Sequence, residues 1–352
     1  MKNSTITIGQ NSILKTLVCL ILFVGLPTIS YSQEYRTIEA YMDDFAKNEL
    51  FVKKSFMDYS ITIVESQLYS RTKYTAERII TKLENLDNML KNTNKGFQGN
   101  TLLRDSFIAM NQRTIECLKN GSLILNDYDY QSTLTLPEIG ENLNRKENQL
   151  IAYYDEVKNY VNTKKMFAFS YKMHFKSGIG KNILKYNAYQ NILFYKMNVM
   201  DEKLTSVVTA KDKKGFSDCM DMITLMHQEI MNKTSEYKFE FKDTSLNDAN
   251  IEYSNFIATQ KEKLSDLFNE YVDQYNNLQV VKDSNPQTKE AIVAYNNAVN
   301  SYNVKKNSFY AVFNSLQSNK DKLYNDWLAV NSTFLKNNGK FDSIYEKYAF
   351  NN

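Results

Sequence analysis

A chain of 352 residues, 43% of them hydrophobic and 24% charged, can bury a sizeable core, which excludes the disordered class. Three prolines and ten glycines are too few for a turn-rich β-fold and favour long helices. Setting aside Lys2 and Lys15 of the leader leaves 41 of the 43 basic residues against 40 acidic ones. With no Lys/Arg block, nothing calls for nucleic acid or an anionic membrane surface as partner.

Residues 1–32 read as a secretory signal peptide. Lys2 and Lys15 supply the positive region, Thr16–Leu26 the apolar core, Pro27 the helix break, and Ser30 and Ser32 the small residues before Gln33. The apolar run is short for a membrane span of about 20 residues, and nothing later in the chain is long enough. Leu17 and Val18 precede Cys19 where lipid attachment would want small residues, which argues against a lipoprotein. The expected compartment is periplasmic, surface-bound or extracellular.

Four helices are predicted for a first unit, residues 33–177, near 36–68, 72–94, 101–122 and 138–173. Four more are predicted for a second unit, 178–318, near 181–211, 214–236, 248–279 and 287–317. Residues 319–352 form a C-terminal helical extension, with segments near 321–336 and 340–349. Apolar stripes carry these assignments, as in Ile79, Ile80, Leu83, Leu86, Met89 and Leu90, or Leu264, Leu267, Phe268, Tyr271 and Tyr275. Ile124–Leu136 and Lys238–Asp243 read as irregular or short β segments, and Gly178 and Gly180 as a hinge between the units.

The two units read as copies. Ala152, Tyr153, Val157, Tyr160, Lys164 and Phe167 recur 142 residues later as Ala294, Tyr295, Val299, Tyr302, Lys306 and Phe309. From Tyr153 the matches step by 4, 3, 4 and 3, one face of a helix. A second block agrees at an offset of 143: Thr101/Thr244, Leu103/Leu246, Asp105/Asp248 and Ile108/Ile251, then Asn126/Asn269 and Tyr128/Tyr271. Pro137 and Pro286 each open a late helix, with Ser284 and Asn285 as caps for the second. The expected fold is therefore all-α: two tandem antiparallel bundles from an internal duplication.

Chemistry is sparse. Only His174 and His227 occur, and no His-x-x-x-His, Glu-x-x-His or Cys-x-x-Cys pair offers a metal site. No Gly-x-Ser-x-Gly is present, and Gly178-Ile-Gly180-Lys181 lacks the spacing of a phosphate loop. The carboxylate pairs Asp43/Asp44, Asp155/Glu156 and Asp243/Asp248 read as solvated faces. No cofactor and no catalytic residue is expected. Cys219 lies on the stripe Phe216, Met220, Ile223, Met226 and Ile230, and Cys117 beside Ile115 and Leu118. An oxidising compartment permits a Cys117–Cys219 disulfide if their helices pack together; otherwise both are buried thiols.

The aromatic load is 25 Tyr and 20 Phe with a single tryptophan, Trp327. Tyr35, Tyr41, Tyr59, Tyr69, Tyr74, Tyr295, Tyr302 and Tyr310 suit bundle boundaries, ring inward and hydroxyl outward, or a sticky surface for a protein or glycan. By leader style and composition the chain resembles the uncharacterised helical secreted and surface proteins of diderm bacteria. That resemblance rests on no motif, so it implies export and a helical fold and assigns no functional residue. The function expected is an exported, non-catalytic helical binding protein. A membrane-active protein that rearranges its bundles and an enzyme with an unrecognised site are the alternatives.

Overall fold

The computed structural model describes residues 35–66, 69–120, 125–176, 182–238, 241–284, 287–338 and 347–350. The leader, the Gly178/Gly180 hinge and Pro286 lie outside the described residues. The fold is all-α. Nine helices stand among the described residues. The first five are α1 (Ile38–Ser66), α2 (Tyr69–Thr93), α3 (Leu102–Lys119), the short α4 (Tyr128–Thr133) and α5 (Leu136–Ser170). The others are α6 (Ile183–Ala210), α7 (Lys213–Tyr237), α8 (Ser245–Asp283) and α9 (Lys289–Asn338). A two-stranded antiparallel ribbon joins β1 (Met173–Lys176) to β2 (Lys347–Phe350), with His174 opposite Ala349.

Local chemistry sets the helix ends. Pro137 sits in the first turn of α5, where its missing N–H costs nothing. The Glu138 carboxylate accepts from the Thr135 backbone N–H at 2.8 Å and from its hydroxyl at 2.7 Å. Asn182 Oδ1 accepts from the Lys185 N–H at 3.0 Å to open α6, and Asp212 Oδ1 from the Gly215 N–H at 2.9 Å to open α7. Between them Lys211 turns the chain in the left-handed region, φ 57°.

Consecutive long helices pack on one another, α1 on α2, α2 on α3, α3 on α5, α6 on α7, α7 on α8 and α8 on α9. The halves also interlock. Helix α6 touches α1, α4, α5, α8 and α9 as well as α7, and α9 reaches back to α1. One connected core therefore runs from Tyr41 and Phe45 on α1 to Phe334 and Leu335 on α9. Helix α6 is its axis: from Gln190 to Asp201 every residue is buried.

The matched positions of the two halves agree in part. The Thr101 hydroxyl donates to Asp105 at 2.7 Å and the Thr244 hydroxyl to Asp248 at 2.8 Å, each at the start of its helix. Leu103 and Leu246 are both sealed, as are Phe167 and Phe309. Tyr153 is buried on Phe56 and Tyr154, whereas Tyr295 is half-buried. Lys164 is buried and paired, whereas Lys306 is exposed.

Two expected elements differ. The break near 317–321 is absent: α9 runs unbroken for 50 residues, about 75 Å at the usual rise, because no glycine or proline interrupts Leu316–Leu323. The extension is thus α9 continued to Asn338 and then the strand Lys347–Phe350, where a helix over 340–349 was expected. Ile124–Leu136 contains α4, with the turn-forming Asp127 and Asp129 at its start.

Between α2 and α3 the chain reverses through Gly96 at φ 81°, beside the Phe97–Asn100 bridge. A Cβ there would lie 2.2 Å from the Asn100 carbonyl oxygen. Gly140 in α5 has nothing within 4 Å of its Cβ position. Gly96→Ala is therefore expected to cost about 2 kcal/mol or more, and Gly140→Ala to gain about 0.5–1 kcal/mol, in urea unfolding. Equal midpoints for the two variants would contradict this account of the turn.

Candidate functional site

Buried polar groups gather around α6, and they position the candidate site. Lys196 donates to Glu147 of α5 at 2.5 Å and to Glu229 of α7 at 2.7 Å. Lys233 of α7 pairs with both acids, closing a four-charge ring. Burial alone would raise the Glu147 carboxyl, but hydrogen bonds from Lys196 and Lys233 outweigh it and hold it below its ordinary range. Lower on α6, the fully buried Asp201 faces Lys320 of α9 at 3.1 Å. Burial pushes the Asp201 carboxyl up, and Lys320 opposes that shift.

At the first-half end of this network lies an open cleft of about 930 Å³. One wall is α2, through Lys73, Ala76, Glu77, Ile80 and Thr81. Leu118, Lys119 and Asn120 close one end, and Arg145 and Lys146 of α5 stand opposite. Asn126, Asp127 and the residues Asp129, Tyr130 and Gln131 of α4 complete the lining.

The floor of the cleft is held rigidly. The Tyr195 hydroxyl of α6 donates to Asp127, Gln131 Nε2 donates to Asp127 Oδ2 at 3.1 Å, and Lys146 Nζ stands 3.5 Å from the same oxygen. The Lys146 ammonium also lies over the Tyr195 ring, 5.5 Å from its centroid. Burial pushes the Lys146 amine down, and Asp127 opposes it. Burial and then Asp127 hold the Tyr195 phenol well above its ordinary range. Asn126 Nδ2 donates to Thr72 at 2.8 Å. Asn126 Oδ1 and Gln131 Oε1 are buried acceptors without a hydrogen-bond partner. A groove of about 510 Å³ adjoins through Arg145 and is lined by Arg113, Glu141, Asn144, Asn148 and Gln149.

The residues singled out by the sequence lie elsewhere. His227 Nδ1 is 2.9 Å from Ser254 Oγ between α7 and α8, and burial lowers its pKa. Ser254 is 1% exposed, so no substrate carbonyl reaches its oxygen. Cys117 and Cys219 are separate buried thiols. The first donates toward the Gln149 carbonyl of α5, the second toward the Met200 carbonyl of α6. Among the described residues no group of three or more His, Cys, Asp or Glu side chains could hold a metal ion. Nor is any of their helices long and apolar enough to cross a membrane. The tyrosines divide. Tyr41 and Tyr59 are core, Tyr35, Tyr295, Tyr302 and Tyr310 are half-buried, and Tyr74 is exposed. The cleft residues were not foreseen; the signal available was the run Asn126-Asp-Tyr-Asp-Tyr-Gln131 between two long helices.

No family model, no curated protein and no solved structure matches the chain.

Burial pushes the Cys117 thiol up to about 11 and the Cys219 thiol up to about 12. In a chain starting at Gln33, a thiol reagent at pH 8 is expected to label neither residue in the native state and both in denaturant without reductant. The unfolded thiols ionise near 8.5, so the native state holds more protons between about pH 9 and 11 and stability falls as pH rises through that window. Fewer than two thiols in denaturant, or a flat stability profile over that window, would contradict this description.

Proposed function

We propose that the chain is an exported, non-catalytic helical binding protein that holds its partner, a protein or a glycan, in the cleft beside α4. The observation that carries this reading is the immobilised floor. Asp127 is fixed by Tyr195, Gln131 and Lys146, so the cleft's polar groups are set before a ligand arrives. Above that floor the walls are open and mixed: apolar at Ala76, Ile80 and Leu118, polar at Asn120, Tyr130 and Arg145.

The described lining contains no serine, cysteine or histidine, and Ser254, the partner of the half-buried His227, is itself sealed. Both features favour holding over turnover. Export rests on the leader at 1–32, whose cleavage would leave Gln33 first.

One experiment tests both parts. The chain is recovered from outside the cytosol, where its mass should show Gln33 at the start. It is then incubated with a panel of polar small molecules, peptides and oligosaccharides while thermal unfolding is followed. At 100 times its Kd a ligand adds about 2.7 kcal/mol, a rise of several degrees. At least one panel member should raise the Tm of the wild type, fail to do so for Tyr130→Ala with Arg145→Ala, and be recovered chemically unchanged. Retention in the cytosol with Met1 in place contradicts export. Turnover of the ligand, or a shift indifferent to the two substitutions, contradicts a binding cleft.

A further inference from the structure

We infer that the cleft and its adjoining groove form one seat for an uncharged oligosaccharide, several sugar units long. This deepens the binding-protein reading and rests on it.

Charge comes first. Lys119 already pairs with Glu84 at 2.7 Å, and Lys146 faces Asp127. Lys73 and Arg145 line the cleft with Glu77 and Asp129, and the groove adds Arg113 and Glu141, so the remaining charges are equal in number. A polyanion would want a cationic surplus and a polycation an acidic one. A ligand without charge matches the balance.

Hydrogen bonding comes second. The cleft offers acceptors in the exposed carboxylates Glu77 and Asp129, whereas the carbonyl oxygens of Asn126 and Gln131 are sealed from solvent. Exposed carboxylates accept from water or from a ligand. Beside them Lys73 and Arg145 carry only donors. A hydroxyl suits this pairing, since it donates to a carboxylate and accepts from an ammonium or guanidinium at once. Vicinal hydroxyls repeat that demand at fixed spacing, which the planar carboxylate and guanidinium groups meet with two atoms each.

The third element is an apolar face. Tyr130 is 60% exposed at the rim, and Ile80 is half-buried in the opposing wall. A pyranose carries C–H groups on its flat faces and hydroxyls at its edges. An exposed ring at the rim takes the first while the polar floor takes the second. Length comes last: Arg145 lines both hollows, and the second adds the amides Asn144, Asn148 and Gln149 beside Arg113 and Glu141. Two contiguous seats of one chemistry fit a chain better than a single sugar.

The test is calorimetric titration of the chain from Gln33 with neutral oligomers of glucose and of N-acetylglucosamine, two to six units long. Oligogalacturonate and neutral hexapeptides serve as the competing classes. Affinity for one neutral series should rise at least tenfold from two units to five or six. It should change less than twofold between 0.05 and 0.5 M salt, because no phosphate-like charge is neutralised. Tyr130→Ala and Arg145→Ala, both on exposed side chains, should each weaken it tenfold or more, while Leu225→Ala, on an exposed side chain of α7 that lines neither hollow, leaves it unchanged. Binding of neither neutral series overturns the inference, as does a length-independent affinity. Tight binding of the peptide or the acidic sugar, lost with Tyr130→Ala, overturns it and leaves the binding-cleft reading intact. Saccharide binding untouched by both cleft variants overturns the two together.

Discussion

A helix buried on all sides must satisfy every polar group it carries, and α6 carries many. Asn187, Gln190, Asn191, Lys196, Asn198 and Asp201 are all buried on it. An unpaired amide in such a place costs a few kcal/mol and an unpaired charge more. The partners come from nearly every neighbouring helix. Asn187 and Asn191 bond Asn331 of α9, each at 2.6 Å. Gln190 donates to Asn247 at 3.0 Å and accepts from Asn250 at 2.5 Å, while Asn250 accepts from the Trp327 indole at 2.8 Å. Tyr253 donates to Asn198 at 2.6 Å. These bonds have defined partners, so they specify how α6, α8 and α9 sit together more narrowly than apolar contact alone would.

The same demand shapes the cleft. Tyr195, at 0% exposure, is pinned by Asp127, which also engages Gln131 and Lys146. The short helix α4 is thus tied to the central helix through Asp127, through Lys203 Nζ donating to the Ser132 carbonyl at 3.2 Å, and through the Tyr128 ring on Tyr195, and the cleft floor inherits the rigidity of the core. The α1–α5 side repeats the device: Glu49 accepts from Tyr160 and Lys164 at 2.5 and 2.6 Å. Aromatic rings fill the spaces between these polar knots, as where Phe194 stacks on Trp327 at 3.7 Å.

Apolar periodicity made much of the helical fold legible. Ile79, Leu83, Leu86 and Leu90 are buried as the stripe predicts, although Met89 is exposed; Phe216, Cys219, Met220, Ile223 and Ile230 are buried too. The central position of α6 was not legible. Its asparagines, Lys196 and Asp201 look like a solvated face, because a sequence shows a polar residue but not the partner that allows its burial. The interlocking of the halves was hidden for the same reason. The cleft was hidden differently: the abundance of Asn and Lys along the chain masks the few, such as Asn126 and Lys146, that converge in space. Tyr130 is one of 25 tyrosines, and its exposure beside the cleft sets it apart.

The central claim is that α6 is held by partners from other helices for its buried polar groups, Asp201 through an ion pair although neither of its carboxylate oxygens makes a hydrogen bond. The pair Asp201–Lys320 tests it most directly, because Asp201 is fully buried and its cation comes from another helix, 3.1 Å away. Urea unfolding of Lys320→Met should show a loss of about 3–5 kcal/mol, since a buried charge is left uncompensated. Adding Asp201→Asn should recover a large part of that loss, because the substitution removes the orphaned charge. A loss below about 1 kcal/mol, as exposed pairs give, would contradict the account.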